Sequence, residues 1–152
     1  MEDRYLFKAK RLNNGEWVVG NLITNVFFRL GQSIPYILCP DKADYDCFED
    51  FSEENGIFEV DPSTICRYAG REDKNGKLIW ENDIVKFDTY CYEKLASSTI
   101  SQIKWCNDLC ALSLVVNDRG TRGTLGHLMD LNKEIEVIGN IFDNAELLES
   151  EE

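Results

Sequence analysis

The sequence predicts an all-β protein, mainly antiparallel. Three observations carry that expectation. Apolar and polar residues alternate with period two in several segments, turn signals rich in Asn, Asp and Gly separate those segments, and the count reaches nine or ten strands against one short helix. The chain has 152 residues, 43% hydrophobic and 11% aromatic, enough for one domain with a real core.

The elements follow in chain order. Tyr5, Phe7 and Ala9 alternate with Arg4, Lys8 and Lys10, giving a strand with one apolar face. Asn13-Asn14-Gly15 supplies a hairpin turn, because Asn and Gly tolerate positive φ. Trp17 to Ile23 is the return strand, rich in β-branched and aromatic residues. Two short strands follow, Val26 to Leu30 and Ile34 to Cys39, and Pro35 places the second near an edge or a strand start. Residues 39–61 then break the pattern with nine carboxylates against Lys42 alone, reading as a solvated loop or short helix, or else as an acidic binding surface. Ile57 to Val60 resumes strand character.

Thr64 to Tyr68 alternates, Asp73-Lys74-Asn75-Gly76-Lys77 forms a hairpin turn, and Leu78 to Trp80 is apolar. Asp83 to Phe87 starts another strand. A polar loop is expected around Ala96-Ser97-Ser98. Thr99 to Trp105 and Ala111 to Val116 make a hairpin around Asn107-Asp108, and Gly120, Gly123 and Gly126 mark a loop-like connection. Ile135 to Ile141 is the last strand. Asp143 or Asn144 is a plausible N-cap for a short terminal helix over Ala145 to Glu149.

Charge excludes several functions. Sixteen Lys and Arg face 28 Asp and Glu, a net charge of -12. Such a chain lacks the basic stripe of a general nucleic-acid binder and the cationic clusters that hold a protein to anionic membranes. Its acidity is unevenly placed. Residues 39–61 sum to -8 and 123–152 to -7, whereas 1–38 carry +2. Neither a secretory signal nor a bilayer-length apolar window is visible, so the expected setting is the cytoplasm, with the six cysteines reduced.

Catalytic and metal chemistry find little support in the spacing. His127 is the single histidine, and a Cys–His nucleophile pair would need it, yet no cysteine signature accompanies it. Cys106 and Cys110 form one thiol pair with no second pair to close a zinc site. Asp44 and Asp46 begin like a calcium loop, but Phe48 and Asn55 stand where ligands are needed. No catalytic residue, metal or cofactor is expected. Asp83, ahead of a strand, reads as a backbone acceptor in a turn. Arg119 and Arg122 are candidate anion-binding residues, since guanidinium forks match phosphate and carboxylate.

Three blocks together resemble the YopX protein family of phages and prophages of Gram-positive bacteria. They are Phe7-Lys8-Ala9-Lys10 with Gly15 to Ile23, Val60 to Gly70 continuing through Asp73 to Lys86, and Glu136 to Leu148. Ala69 and Ala145 depart modestly from the family pattern. The resemblance implies one domain over 1–152 with a small SH3-like barrel component, an N-terminal β part over 1–60 containing the acidic segment 39–58, and a barrel-like part over 61–150. It also implies self-association into a homo-oligomer, and it carries over no catalytic residues.

The function expected from these readings is that of an accessory protein binding a host or phage protein through its acidic surface. It would act as a DNA mimic or anti-defence factor, without binding nucleic acid or membrane itself. Asp44, Asp46, Glu49, Asp50, Glu53 and Glu54 are the candidate contact residues. Two alternatives stay open. One is an oligomer that sequesters a nucleotide-like ligand among Arg67, Tyr68, Arg71, Trp105, Arg119 and Arg122. The other is an enzyme built on His127.

Overall fold

The computed structural model describes residues 5–39, 53–91, 94–115, 121–131 and 134–149. The chain divides into two compact units, Met1–Tyr68 and Ala69–Glu152.

The first unit contains β1 (Leu6–Lys10), β2 (Trp17–Arg29), β3 (Gln32–Leu38) and β4 (Ile57–Glu59), with β5 (Cys66–Glu72) entering from its end. The strands lie in the order β4-β3-β2-β1-β5, antiparallel throughout. Ala9 opposes Val18 and Leu22 opposes Ile37, which lines these apolar side chains up on one face. Ala9, Ile37 and Val60 are fully covered there, with Phe7, Val18, Leu22 and Ile65 around them.

This sheet curls back on itself. Arg11 bridges to Val60, the Asp61 amide donates to the Lys10 carbonyl at 2.9 Å, and the Leu12 amide donates to Glu59 at 3.0 Å. The end of β4 is thereby joined to the end of β1, which removes part of the exposed edge. Asp61 then caps the 3₁₀ turn Pro62–Thr64, its Oδ1 accepting from the Ser63 amide and hydroxyl. The Ser63 bonds hold the Asp61 carboxyl below its ordinary pKa despite slight desolvation.

In the second unit, β5 is followed by its neighbour β6 (Leu78–Trp80), then β7 (Asp83–Cys91), β8 (Lys94–Cys106), β9 (Ala111–Val115), β10 (Thr121–Thr124), helix α1 (Leu125–Leu131) and β11 (Glu136–Asn140). Five of these strands form a sheet in the order β10-β9-β8-β7-β11. Its core packs Ile79, Val85, Phe87, Ile103, Leu114, Leu125, Ile135 and Val137.

The turns of this unit carry the recognisable sequence blocks. Asp73 is buried, and its Oδ1 accepts from the amides of Asn75 and Lys77 at 2.8 and 2.9 Å. Its Oδ2 accepts from the Val137 amide at 2.9 Å, tying the β5–β6 turn to β11. Asp83 acts as a backbone acceptor, taking the Trp80 amide at 2.8 Å while itself almost fully buried. Between them Asn82 adopts φ +69°, donates its amide to the Ile103 carbonyl, and accepts Ile141 N–H on its own carbonyl. Asn is among the few side chains that visit this conformation readily. Asn82→Ala is therefore expected to lower the unfolding free energy by about 1–2 kcal/mol, read as a shifted urea midpoint. Asn82→Gly should recover most of that loss, because glycine adopts positive φ without steric cost.

Several local expectations are corrected. The two strands expected over residues 17–30 are one, β2, with an irregularity between Ile23 and Phe27 that Asn25 accommodates at φ +61°. The loop expected at Ala96-Ser97-Ser98 is strand, because β8 pairs with β7 along its length, Ser97 opposite Thr89 and Ser98 opposite Asp88. The glycine-spaced connection holds β10 and α1. Gly123 takes φ +146° beside the irregularity in β10, and the Thr124 hydroxyl accepts the His127 amide at 3.3 Å, starting the helix.

Leu125, Leu128 and Met129 bring that helix onto the core. The terminal turn is 3₁₀, Ala145–Leu148, and Asn144 does not cap it with its side chain. Asn144 Oδ1 instead accepts the Asn140 amide at 3.3 Å. No helix among the described residues is long and apolar enough to cross a membrane.

Candidate functional site

Of the acidic contact residues, Asp44, Asp46, Glu49 and Asp50 lie outside the described residues, as does Arg119. Glu53 and Glu54 open the 3₁₀ turn Glu53–Asn55 and are exposed. Glu53 is already engaged. Its Oε2 takes the Arg11 guanidinium at 2.6 Å, and its Oε1 takes the Asn13 side-chain amide at 2.6 Å. Arg11 also lies 4.5 Å from the centre of the Phe58 ring, a cation–π contact that holds the guanidinium in place. Glu53 thus fastens the β1–β2 turn, and a partner would have to compete with Arg11 for it. Glu54 is exposed and, among the described residues, forms no ion pair.

Arg122 belongs to β10, but its side chain lies outside the described residues. Arg71 pairs with Asp130 at 3.4 Å, and Arg67 stands 5.8 Å over the Phe7 ring. Trp105 is 43% exposed, and its indole Nε1 donates to Asn107 Oδ1 at 2.9 Å. His127 is exposed on α1. Cys66 is buried and directs its thiol to the Thr64 carbonyl, while Cys110 turns its thiol to the Asn107 carbonyl at the β8–β9 turn. Among the described residues no group of three His, Cys, Asp or Glu could hold a metal ion.

The most distinctive surface was not singled out by sequence reasoning. Beyond its pairing with β1, β2 continues with β3 as a hairpin whose two-residue turn is Leu30-Gly31. Val26, Phe28 and Leu30 are 56%, 60% and 100% exposed. At the turn lies an open groove of about 300 Å³ lined by Leu30 itself, the polar Gln32 and Ser33, and the apolar Leu12, Ile34, Pro35, Val60 and Pro62. Arg29 and Glu59, 3.3 Å apart, sit at this groove as its charged pair. A signal was present in the sequence: a leucine before glycine at a hairpin turn, where Asn or Asp is the common choice.

No curated protein matches the chain. A family model described as "YopX protein" matches residues 7–149, spanning the eleven strands of the described residues but for Leu6 and including both turns built on Asp73 and Asp83. With nearly the whole chain covered by that match, this protein belongs to the YopX family.

Proposed function

We propose that the protein acts by binding, without catalysis, to a host or phage protein through its acidic surface, in the cytoplasm of a bacterial host. The observation that supports this reading is the concentration of acidic residues in two segments of the sequence. The buried carboxylates Asp73 and Asp83 are occupied by backbone amides and hold turns together. Most of the remaining acidity stands in two blocks, 39–61 at -8 and 123–152 at -7, with little role in the apolar cores. Carboxylates at this density along a chain suit a basic cleft, such as one that accepts a nucleic-acid backbone with about one charge per 1.7 Å of duplex.

Affinity capture from an infected host tests the reading. One stoichiometric protein should be recovered at low salt and released as salt rises, because exposed charge pairs are screened over about 8–10 Å near physiological ionic strength. Replacing Asp44, Asp46, Glu49 and Asp50 together by their amides should reduce recovery at least tenfold, about 1.4 kcal/mol. Unchanged recovery by that variant would exclude the segment as the contact surface.

A further inference from the structure

We propose that Asn14 is a site of spontaneous covalent modification, at which the Gly15 amide nitrogen closes on the Asn14 side chain, expels ammonia, and leaves an aspartate or isoaspartate in the β1–β2 turn. Asn-Gly pairs are the ones open to this reaction, because glycine puts no side chain in the path of the attacking nitrogen. The sequence holds three of them, Asn14-Gly15, Asn55-Gly56 and Asn75-Gly76. In each the glycine has positive φ and donates its amide to a backbone carbonyl, Gly15 to Arg11 at 2.9 Å, Gly56 to Glu53 at 3.1 Å and Gly76 to Asp73 at 3.0 Å. Those bonds slow all three alike, so the nucleophile does not separate them. The surroundings of the asparagine do.

Asn14 Oδ1 accepts the Glu16 amide at 3.0 Å, a bond that folds the side chain back over the Gly15 peptide. The same N–H faces the oxygen on which negative charge develops when Gly15 N adds to Cγ, at the roughly 2.7–3.1 Å that stabilises such an oxyanion. Asn14 Nδ2, the nitrogen that leaves, donates to Glu16 Oε2 at 3.1 Å. That carboxylate favours the proton which Nδ2 must gain in order to depart. Asn14 and Gly15 are both exposed, so water reaches the pair. Asn75 is less well placed. Among the described residues no donor reaches its Oδ1, and its Nδ2 stands 3.5 Å from Glu136 Oε1. Gly56 is buried, which keeps from it the water that must take its proton.

The reaction balances with water alone. Solvent takes the Gly15 N–H proton, the Gly15 N–Cγ bond forms, and the carbonyl electron pair moves onto Oδ1. Collapse of that intermediate breaks the Cγ–Nδ2 bond, and Nδ2 leaves as ammonia with a proton drawn from water. A second water opens the cyclic imide at one carbonyl to give aspartate, or at the other to give isoaspartate. The product alters the turn. A carboxylate replaces the amide that donated to Glu16, and one negative charge joins the net -12 beside the Arg11, Glu16 and Glu53 cluster. The isoaspartate form also routes the backbone through Cβ, which takes the Gly15 N–H out of register with the Arg11 carbonyl. This inference stands apart from the acidic-surface reading, whose readout is partner capture.

Incubation of the folded full chain at mildly alkaline pH, followed by digestion and mass spectrometry, tests it. The peptide bearing Asn14 should gain the mass of an amide-to-acid change about tenfold sooner than those bearing Asn55 or Asn75, with ammonia released in step. In the guanidinium-unfolded chain the three pairs should convert at similar rates, because the fold no longer ranks them.

Glu16→Gln keeps the backbone donor and the side-chain size but removes the charge, and it should slow Asn14 about threefold while leaving Asn75 unchanged. Asn75 is the reference within the same chain: a substitution that merely loosened the fold would speed both pairs together. Conversion of Asn55 or Asn75 ahead of Asn14, equal rates at all three in the folded chain, or no conversion at Asn14 would each overturn the proposal. So would an Asn14 rate in the Glu16→Gln variant equal to the parent's.

Discussion

Gly20→Ala is expected to cost about 3 kcal/mol or more of unfolding free energy, at the upper end of overpacking changes. Gly20 is buried in β2, and a Cβ there would sit 2.0 Å from the Leu38 carbonyl oxygen and 2.7 Å from its carbon. Those are backbone atoms at the end of β3, the point where the chain leaves the sheet. No rotamer change relieves the clash. Relief requires β2 and β3 to separate at Asn21–Leu38, the pair adjoining the covered Leu22–Ile37 contact. Urea denaturation of purified variant and parent measures the effect. A loss below about 1 kcal/mol would mean that the Leu38–Cys39 backbone yields freely, and that the sheet end is softer than its packing indicates.

Asp73→Ala is expected to destabilise the second unit by about 3–4 kcal/mol, because it strips the partner from three backbone amides at once. Two of those amides, Asn75 and Lys77, close the β5–β6 turn, and the third, Val137, lies on β11. A buried donor without an acceptor costs its full desolvation, about 1–3 kcal/mol. Asp73→Asn should cost less than alanine, since an amide oxygen still accepts, but its NH2 faces donors where the second carboxylate oxygen accepted. Hydrogen exchange should report early loss of protection at Val137 in both variants.

The same carboxylate makes stability depend on pH in a defined direction. Burial raises the Asp73 pKa, while the amides of Val137, Lys77 and Asn75 and the charge of Lys77 lower it, and the net shift is downward. The unfolded chain therefore takes up the proton first as pH falls. The contribution is fully present above the unfolded-state value of about 3.9 and is lost as pH drops through the lower folded value. The parent should lose stability below about pH 4, and the Asp73→Ala variant should show a shallower dependence over that window. Equal slopes would show that other carboxylates dominate acid unfolding.

Legibility in the sequence followed the range of the interactions. The Asp73–Lys77 turn and the backbone-acceptor role of Asp83 were readable because both are closed by neighbours within four residues. The reach of Asp73 to Val137 was not, because it spans 64 residues and leaves no local trace. Helix α1 was hidden for a different reason. Gly123 and Gly126 weigh towards a loop, while the Thr124 cap and the apolar positions Leu125, Leu128 and Met129 weigh towards a helix. Packing onto the second core decides for the helix, overriding propensity. Glu53 illustrates the same limit at the candidate site: it read as a partner-contact residue, and the fold brings Arg11 onto it from 42 residues away.

By itself the sequence determined the all-β class, the turns at Asn13–Gly15, Asp73–Lys77 and Asn107–Asp108, the resemblance that the family match bears out, and the uneven placing of acidic residues along the chain. These depend on alternation, turn chemistry and composition, which are local or additive along the chain. Only the tertiary structure decided that the first sheet curls through Arg11 and Val60, that Gly20 leaves room for the Leu38 carbonyl, and that Leu30 is left fully exposed at the rim of an open groove. Each of those is a matter of which distant atoms occupy the same space. A residue's own identity states what it can tolerate, and the fold alone states what it meets.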